Sequence, residues 1–204
     1  MPRQPDSGPS RAGASAAKLA LRDQLLTTRH RRSLAEVGEA ARAIAGHLLT
    51  APEVRRSATV AAYVSLGGEP GTGALLDALA TAGTRVILPV LRPDDDLDWG
   101  TWRGDTALRP ARRGLLEPDG PRLGVDAVAT ADAVLVPGLA VSVGGLRMGR
   151  GGGSYDRALA RVPVGTFTCV LLYDDEVGLD VPAEAHDRRV TAAATPGGII
   201  RLTA

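Results

Sequence analysis

Apolar positions in the first quarter of the chain recur at helical spacing. Leu19, Leu21, Leu25 and Leu26 are spaced for a mostly helical face over about 15–32, with Lys18, Arg22 and Arg29 read as its polar side. A second helix opens at Ser33, whose spacing to Glu36 is that of a capping box, and runs to about Leu49. The rhythm then changes to short continuous apolar runs. "ATVAAYV" (58–64) and "TRVILPV" (84–90) read as buried strands on either side of a helix from Thr72 to Ala82, which Gly83 ends. "LDWGTW" (97–102) alternates like an edge strand inside a long polar segment. "ADAVLVP" (131–137) and "VGTFTCVLLY" (164–173) are further buried strands, separated by a glycine-rich loop and a short helix over 154–162, and "DRRVTAAAT" (187–195) supplies a last strand. Strands alternating with helices predict an α/β fold: a mostly parallel sheet with helices on both faces, three-layered and Rossmann-like, with sites beyond the strand carboxyl ends.

Composition narrows this picture. With 204 residues, 44% of them hydrophobic, the chain can bury a full core as one domain over 15–204; residues 1–14, rich in Pro, Gly, Ser and Ala, read as a disordered tail. No apolar run is long enough to cross a membrane and the N-terminus has no secretory signal pattern, so a cytoplasmic protein is expected. A formal charge of +1 with 3% aromatic residues argues against nucleic-acid binding. Cys169, the single cysteine, sits in an apolar run and is expected to be a buried, inert thiol. All the basic residues but Lys18 are arginines, so Lys18 is the exception that a function would explain.

The candidate chemistry lies between Gly138 and Gly153, where seven of sixteen residues are glycine against about one expected from average usage. Between a strand and a helix, backbone N–H groups can surround an anion; Arg147 and Arg150 add charge, and Asp156 is placed to hold Mg²⁺ against a nucleotide. The stretch matches neither the P-loop, which needs Gly-Lys-Ser/Thr, nor G-x-G-x-x-G. "AVSVG" (140–144) loosely mimics a nucleophile elbow around Ser142, but Pro137-Gly138 ends the strand too early for one. His186-Asp187 reads as a loop hydrogen bond rather than as catalysis.

"PGLAVSVGGLRMGRGGGSYDRAL" resembles the signature of the 5-formyltetrahydrofolate cyclo-ligase family. Other pieces fall in that family's order: Lys18-x-x-x-Arg22, Glu69 after "YVSLGG", "LP" at 88–89, "GLLEP" at 114–118 and "VPAEAHD" at 181–187, so the resemblance covers about residues 15–196. It implies ATP- and Mg²⁺-dependent closure of 5-formyltetrahydrofolate to 5,10-methenyltetrahydrofolate, with release of ADP and phosphate, by a monomer whose partners are small molecules. By the same resemblance Lys18, Arg22, Arg147, Met148, Gly149, Arg150, Gly151, Gly152, Gly153, Ser154 and Tyr155 hold ATP. Arg150 and Tyr155 stand near the reacting groups. Glu69, Trp99, Trp102, Arg150, Gly151, Gly152, Gly153 and Ser154 face the reduced folate, and Asp156 binds the metal. The chain departs from the family's pattern at Val141-Ser142, at Ser154, and at Thr191, which is read as standing in place of a second metal-binding aspartate. Those departures keep two alternatives open: a non-catalytic folate or nucleotide binding module, and a related ATP-dependent acyl-activating enzyme.

Overall fold

The computed structural model describes residues 11–203. Helix α1 (Arg11–His30) starts four residues before the expected Ser15, and the rest of the tail lies outside the described residues. Ser33 caps α2 (Leu34–Thr50) with the reciprocal bonds of a capping box: its hydroxyl accepts from the Glu36 N–H, while the Glu36 carboxylate accepts from the Ser33 N–H. A four-residue α3 (Pro52–Arg55), not visible in the apolar pattern, links α2 to β1 (Thr59–Ala61). Then come α4 (Gly73–Thr81), β2 (Arg85–Leu91) and β3 (Leu97–Thr101).

The polar segment that follows is less irregular than its composition suggests. It holds a small hairpin, β4 (Leu108–Pro110) with β5 (Leu116–Pro118), and a 3₁₀ segment Val125–Thr130. Beyond β6 (Ala133–Pro137) the glycine-rich stretch is not loop throughout. Its first part is a second hairpin of β7 (Ala140–Val141) and β8 (Arg147–Met148), with Ser142 in the turn accepting a bond from the Leu146 N–H. A hairpin turn gives Ser142 no nucleophile elbow. The chain closes with α5 (Ser154–Leu159), β9 (Phe167–Leu171), β10 (Ala192–Thr195) and β11 (Gly198–Arg201).

The main sheet has seven strands in the order β11-β10-β9-β6-β1-β2-β3; the five inner strands are parallel and the two edges antiparallel. The fold is therefore α/β as expected, and β3 is the edge that its alternation predicted. Alternate residues of the inner strands feed two cores. Val60, Leu88, Leu135, Cys169 and Ala194 pack under α2 and α4, while Ala61, Ile87, Val134, Val170 and Ala193 pack under α5 and the 3₁₀ segment. Burial on both faces is why these strands read as unbroken apolar runs. Burial also pushes the Cys169 thiol up to about 12, so it carries no thiolate near neutrality. Among the described residues no helix is long and apolar enough to cross a membrane.

From β1 the chain moves to β2 on one side, and the later strand β6 lies on the other. The order thus reverses between β1 and β6, where a crevice opens beyond the carboxyl ends of parallel strands. A third, smaller core of Leu25, Leu139, Ala140, Leu146, Met148 and Val181 seats α1 on the β7–β8 hairpin. The hairpin depends on Gly145, whose φ is +79° and whose missing Cβ would lie 2.4 Å from the Val190 carbonyl oxygen. Gly145→Ala is expected to destabilise the protein by roughly 2–4 kcal/mol, through left-handed strain and a backbone clash, read as a lower urea midpoint at unchanged slope.

Candidate active site

At the β1/β6 reversal lies a cavity of about 930 Å³, within the size range of small-molecule sites. Its floor is the chain just beyond β1 and β6. After β1, residues Tyr63 to Thr72 are cross-pinned: the Thr72 hydroxyl donates to the Tyr63 carbonyl (2.8 Å) and accepts from the Ser65 N–H (2.9 Å), and the Thr72 N–H donates to the Ser65 hydroxyl (3.0 Å). This turn presents Glu69, which is buried; one carboxylate oxygen accepts from the Leu66 N–H at 2.9 Å and the other pairs with Arg150 at 3.1 Å. Tyr173 donates its hydroxyl hydrogen to the Gly68 carbonyl at 3.1 Å and holds the turn from the far side.

After β6, two arginines grip consecutive carbonyls. Arg147 donates to Pro137 O at 3.1 Å and Arg29 to Gly138 O at 2.7 Å. Both guanidiniums are buried, and each has one carboxylate partner: Asp156 for Arg147 at 3.1 Å, and Glu176 for Arg29 through two bonds of 2.7 Å. Neutralisation by a carboxylate is what makes a buried guanidinium tolerable. Asp156 accepts a second bond, from the Arg188 N–H at 3.1 Å, so it is fixed from two directions and held beside the segment in which Asp187 precedes Arg188.

Helix α1 forms one wall. Lys18 donates to Glu184 at 2.7 Å and Asp187 at 2.8 Å, and Arg22 donates to the Gly149 carbonyl at 3.2 Å. Burial alone would lower the Lys18 pKa; Asp187 and Glu184 more than reverse that, holding it above its ordinary value, so the ammonium stays charged. The opposite wall is apolar, with Val64, Leu66, Leu91, Leu97, Leu115 and Leu116. Between the walls runs Gly149–Gly153, where Gly151 (φ +102°) and Gly153 (φ +66°) take conformations that favour glycine. Helix α5, which follows, has only six residues. Its dipole adds little, and affinity for an anion falls to the arginines and bare amides.

Tyr155 lines the cavity at the start of α5, with the Arg147 guanidinium 5.9 Å from its ring centroid. Burial and then the charge of Glu69 push its phenol well above the usual range, with Arg147 only partly opposing. Tyr155 is therefore a neutral hydrogen-bond donor rather than a phenolate base.

The model of the 5-formyltetrahydrofolate cyclo-ligase family matches residues 14–196. The chain belongs to that family of ligases. It is 45% identical over 150 residues, 71% of this chain and 77% of the relative, to a 5-formyltetrahydrofolate cyclo-ligase of Mycolicibacterium smegmatis. It is 31% identical over 172 residues, 80% of this chain and 90% of the relative, to the protein of the same name from Escherichia coli. The solved structure of 5,10-methenyltetrahydrofolate synthetase from Aquifex aeolicus superposes with a TM-score of 0.78 at 27% identity, covering 91% of this chain and 92% of that one.

Most of the residues that resemblance to the cyclo-ligase family put forward do converge on the cavity: Lys18, Arg22, Glu69, Arg147, Gly149 to Gly153 with Arg150, Ser154, Tyr155 and Asp156 all line it. Three do not. Met148 is 1% exposed and packs in the small core under α1, because residues alternate across the β8 ribbon and its neighbour Arg147 takes the cavity side. Trp99 and Trp102 are likewise placed in the two cores of the sheet rather than on the cavity, at 1% and 6% exposure. Strand β3 is an edge only along its hydrogen-bonding direction, and both its faces are covered, so its aromatics became core.

The expectation for Thr191 is corrected as well. Thr191 is outside the cavity lining and bonds to Thr168 through backbone and hydroxyl. Asp187, Glu184 and His186 also line the cavity, and one ligand atom from each lies within 4.8 Å of the others. Nothing in the spacing brings "VPAEAHD" to Asp156; that proximity comes from the bond of the Arg188 N–H to Asp156, a contact across 32 residues. Arg113 of the β4–β5 hairpin was also missed, and Leu115 and Leu116, quoted in "GLLEP" for the resemblance, were given no place in the site.

Proposed function

We propose that this chain catalyses the ATP- and Mg²⁺-dependent cyclisation of 5-formyltetrahydrofolate to 5,10-methenyltetrahydrofolate, releasing ADP and phosphate. The observation that carries this reading is the division of one cavity into a charged half, built from Lys18, Arg22, Arg150 and the glycine segment, and an apolar half closed by Glu69. Triphosphate suits the first and a flat heterocycle with N–H donors suits the second.

The chemistry asks for positioning more than for a reactive side chain. The formyl oxygen is a poor leaving group; transfer of the terminal phosphoryl group to it, coupled to attack by N10, lets it depart as phosphate. Such a reaction gains from fixed charge around the phosphates and from two substrates held in contact. Arg150, more than half exposed and paired with Glu69, stands on the border between the two halves and can follow charge from one substrate to the other. Neutral Tyr155 can donate to an oxygen that becomes more negative.

Hard carboxylate oxygens on the cavity wall suit Mg²⁺, and Asp156 and Asp187, the latter one residue before the Arg188 N–H that bonds Asp156, are the residues that would hold it. When bound, the ion would neutralise phosphate charge. The ion pairs from Lys18 to Glu184 and Asp187 would open as the nucleotide enters, freeing the ammonium for phosphate. We also propose that the protein acts as a monomer on small molecules, since one chain supplies both halves of the cavity.

The test is the absorbance of the methenyl product formed from 5-formyltetrahydrofolate. Turnover should require both ATP and Mg²⁺. Arg150→Ala should lower kcat/KM by about 10- to 100-fold and stability by about 1–2 kcal/mol, since the guanidinium is half exposed but its loss leaves the buried Glu69 carboxylate without a cation. Binding of both ligands without product would instead favour a non-catalytic binding module, and ATP turnover with another amide or carboxylate a different acyl-activating enzyme.

A further inference from the structure

One cation on the cavity has no part in the site described so far. Arg113, in the turn of the β4–β5 hairpin, lines the cavity beside Leu115 and Leu116, and its side chain is 52% exposed, so a ligand there can reach it. Its placement is a built one. The backbone sits at φ +59°, ψ 24°, a left-handed conformation that is costly for an arginine and free for a glycine. Asp95, in the β2–β3 turn, is the other non-glycine residue of positive φ (+62°) among the described residues, and the two are joined: Arg113 Nη2 donates to the Asp95 carboxylate at 2.7 Å. Asp95 is in turn fastened to the glycine segment, because Arg157 donates to both the Asp95 and the Gly152 carbonyls. Two strained residues on facing turns thus hold one guanidinium at the cavity, and outliers of this kind persist where the surroundings use them.

We propose that Arg113 receives a glutamate carboxylate of the reduced folate, at the outer end of the apolar wall that begins beside Glu69. The inference rests on the cyclo-ligase reading and adds to it a residue that sets which folates bind. A folate is a heterocycle joined through an aryl amide to glutamate. One molecule therefore brings a donor-rich ring, an apolar middle and two carboxylates, in that order. The cavity offers the complement in the same order. Going outward along the sheet from β1 to β2 and β3, its wall passes from Val64 and Leu66, on the turn that carries Glu69, to Leu91 and Leu97, and the Asp95 turn lies between these last two. Arg113 closes the series. A guanidinium bonded to Asp95 through Nη2 keeps other N–H groups for a second carboxylate. Its Nη1 reaches back over the cavity, where a Cβ placed on Gly152 would lie 3.8 Å from it. Phosphate, the other anion expected here, is served by Lys18, Arg22 and Arg150; among the described residues Arg113 is the cation that rises from the apolar wall.

The test is calorimetry on the full chain, without ATP, using 5-formyltetrahydrofolate and its diamide, in which both glutamate carboxylates are carboxamides of the same size. Wild-type protein should bind the diamide about three- to tenfold more weakly, a modest factor because the guanidinium is half exposed and already shares Asp95. Arg113→Gly should bind the parent folate as weakly as the diamide, and so lose the preference, while the Kd of ATP, titrated separately, stays unchanged. Its Tm should stay within a degree or two of wild type, since release of the left-handed strain offsets loss of an ion pair to a part-exposed partner. Arg113→Lys, which keeps the charge but not the planar fork, should restore part of the preference. A residue that only braces the hairpin would not distinguish acid from amide. Equal affinity of wild type for the two ligands overturns the proposal, as does an Arg113→Gly variant that keeps the wild-type preference. Loss of ATP affinity with the folate preference intact would assign Arg113 to the phosphates and overturn it too. Failure of wild-type protein to bind either folate would sink the cyclo-ligase reading and this proposal with it, a result distinct from equal binding of both.

Discussion

Asp156→Asn is expected to lower turnover by about 10²- to 10³-fold, the scale seen when a charge that stabilises a phosphoryl transition state is removed. The substitution keeps the side chain's shape and one acceptor oxygen, so the Arg188 N–H can remain satisfied. What it removes is the negative charge beside Arg147, whose side chain is 3% exposed and whose other contact is the Pro137 carbonyl. Stability should therefore fall too, by about 2–4 kcal/mol, because the single amide oxygen can serve the Arg188 N–H only by turning the amide nitrogen toward the Arg147 guanidinium, donor against donor, with the Pro137 carbonyl as the remaining partner of Arg147. The two effects separate in one experiment. Residual activity is measured at saturating ATP and well below the variant's Tm, and raising Mg²⁺ should restore it only in part, because the amide can still offer the ion one oxygen but not the charge. A variant that recovers full rate with added Mg²⁺ would show that Asp156 sets only metal affinity, and one that keeps wild-type rate would remove it from the chemistry.

Glu176→Ala should produce the largest loss of stability of any single substitution discussed. It leaves the Arg29 guanidinium, 2% exposed at the side chain, without its two-pronged partner. Breaking a buried pair by removing one member costs about 3–5 kcal/mol, which for a chain of this size lowers Tm by roughly 10 °C. The carboxylate also accepts from the Tyr173 N–H, so a backbone donor is orphaned at the same time. Replacing both members by apolar residues, Arg29→Met with Glu176→Leu, should recover part of that loss, since no charge is left buried and unpaired, while the Tyr173 N–H and the Gly138 carbonyl stay without their partners. The double variant is nonetheless expected to raise KM for both substrates by severalfold. Arg29 ties α1, which carries Lys18 and Arg22, to Gly138 at the strand-order reversal; apolar contacts fill the space without setting that register. Thermal melts and steady-state kinetics on the two variants separate stability from positioning.

Much of the scaffold was legible because it is written in local terms. Parallel strands buried on both faces must be apolar at every position, so β1, β2, β6, β9 and β10 stood out as runs, and the Ser33–Glu36 box announced α2 before any tertiary contact was known. The short pairs β4–β5 and β7–β8 did not stand out. Two- and three-residue strands have no period to read, and the glycines that shape the second pair look in sequence like unstructured loop.

The site divides along the same line. Arg147, Arg150, Tyr155 and Asp156 lie within ten residues, so composition and spacing sufficed to nominate them. Lys18, by contrast, meets Glu184 and Asp187 from 166 and 169 residues away, and nothing local distinguishes those acids from solvated ones. Trp99 and Trp102 erred in the opposite direction: an alternating strand says that one face is buried, but which second layer covers the other is a property of the packed chain. The sequence by itself determined the strands, the helices and the glycine-arginine segment, since backbone preference and apolar periodicity act over a few residues. Only the tertiary structure decided which carboxylates share a wall and which aromatics are core, because burial and distance are set by crossings that no stretch of chain contains.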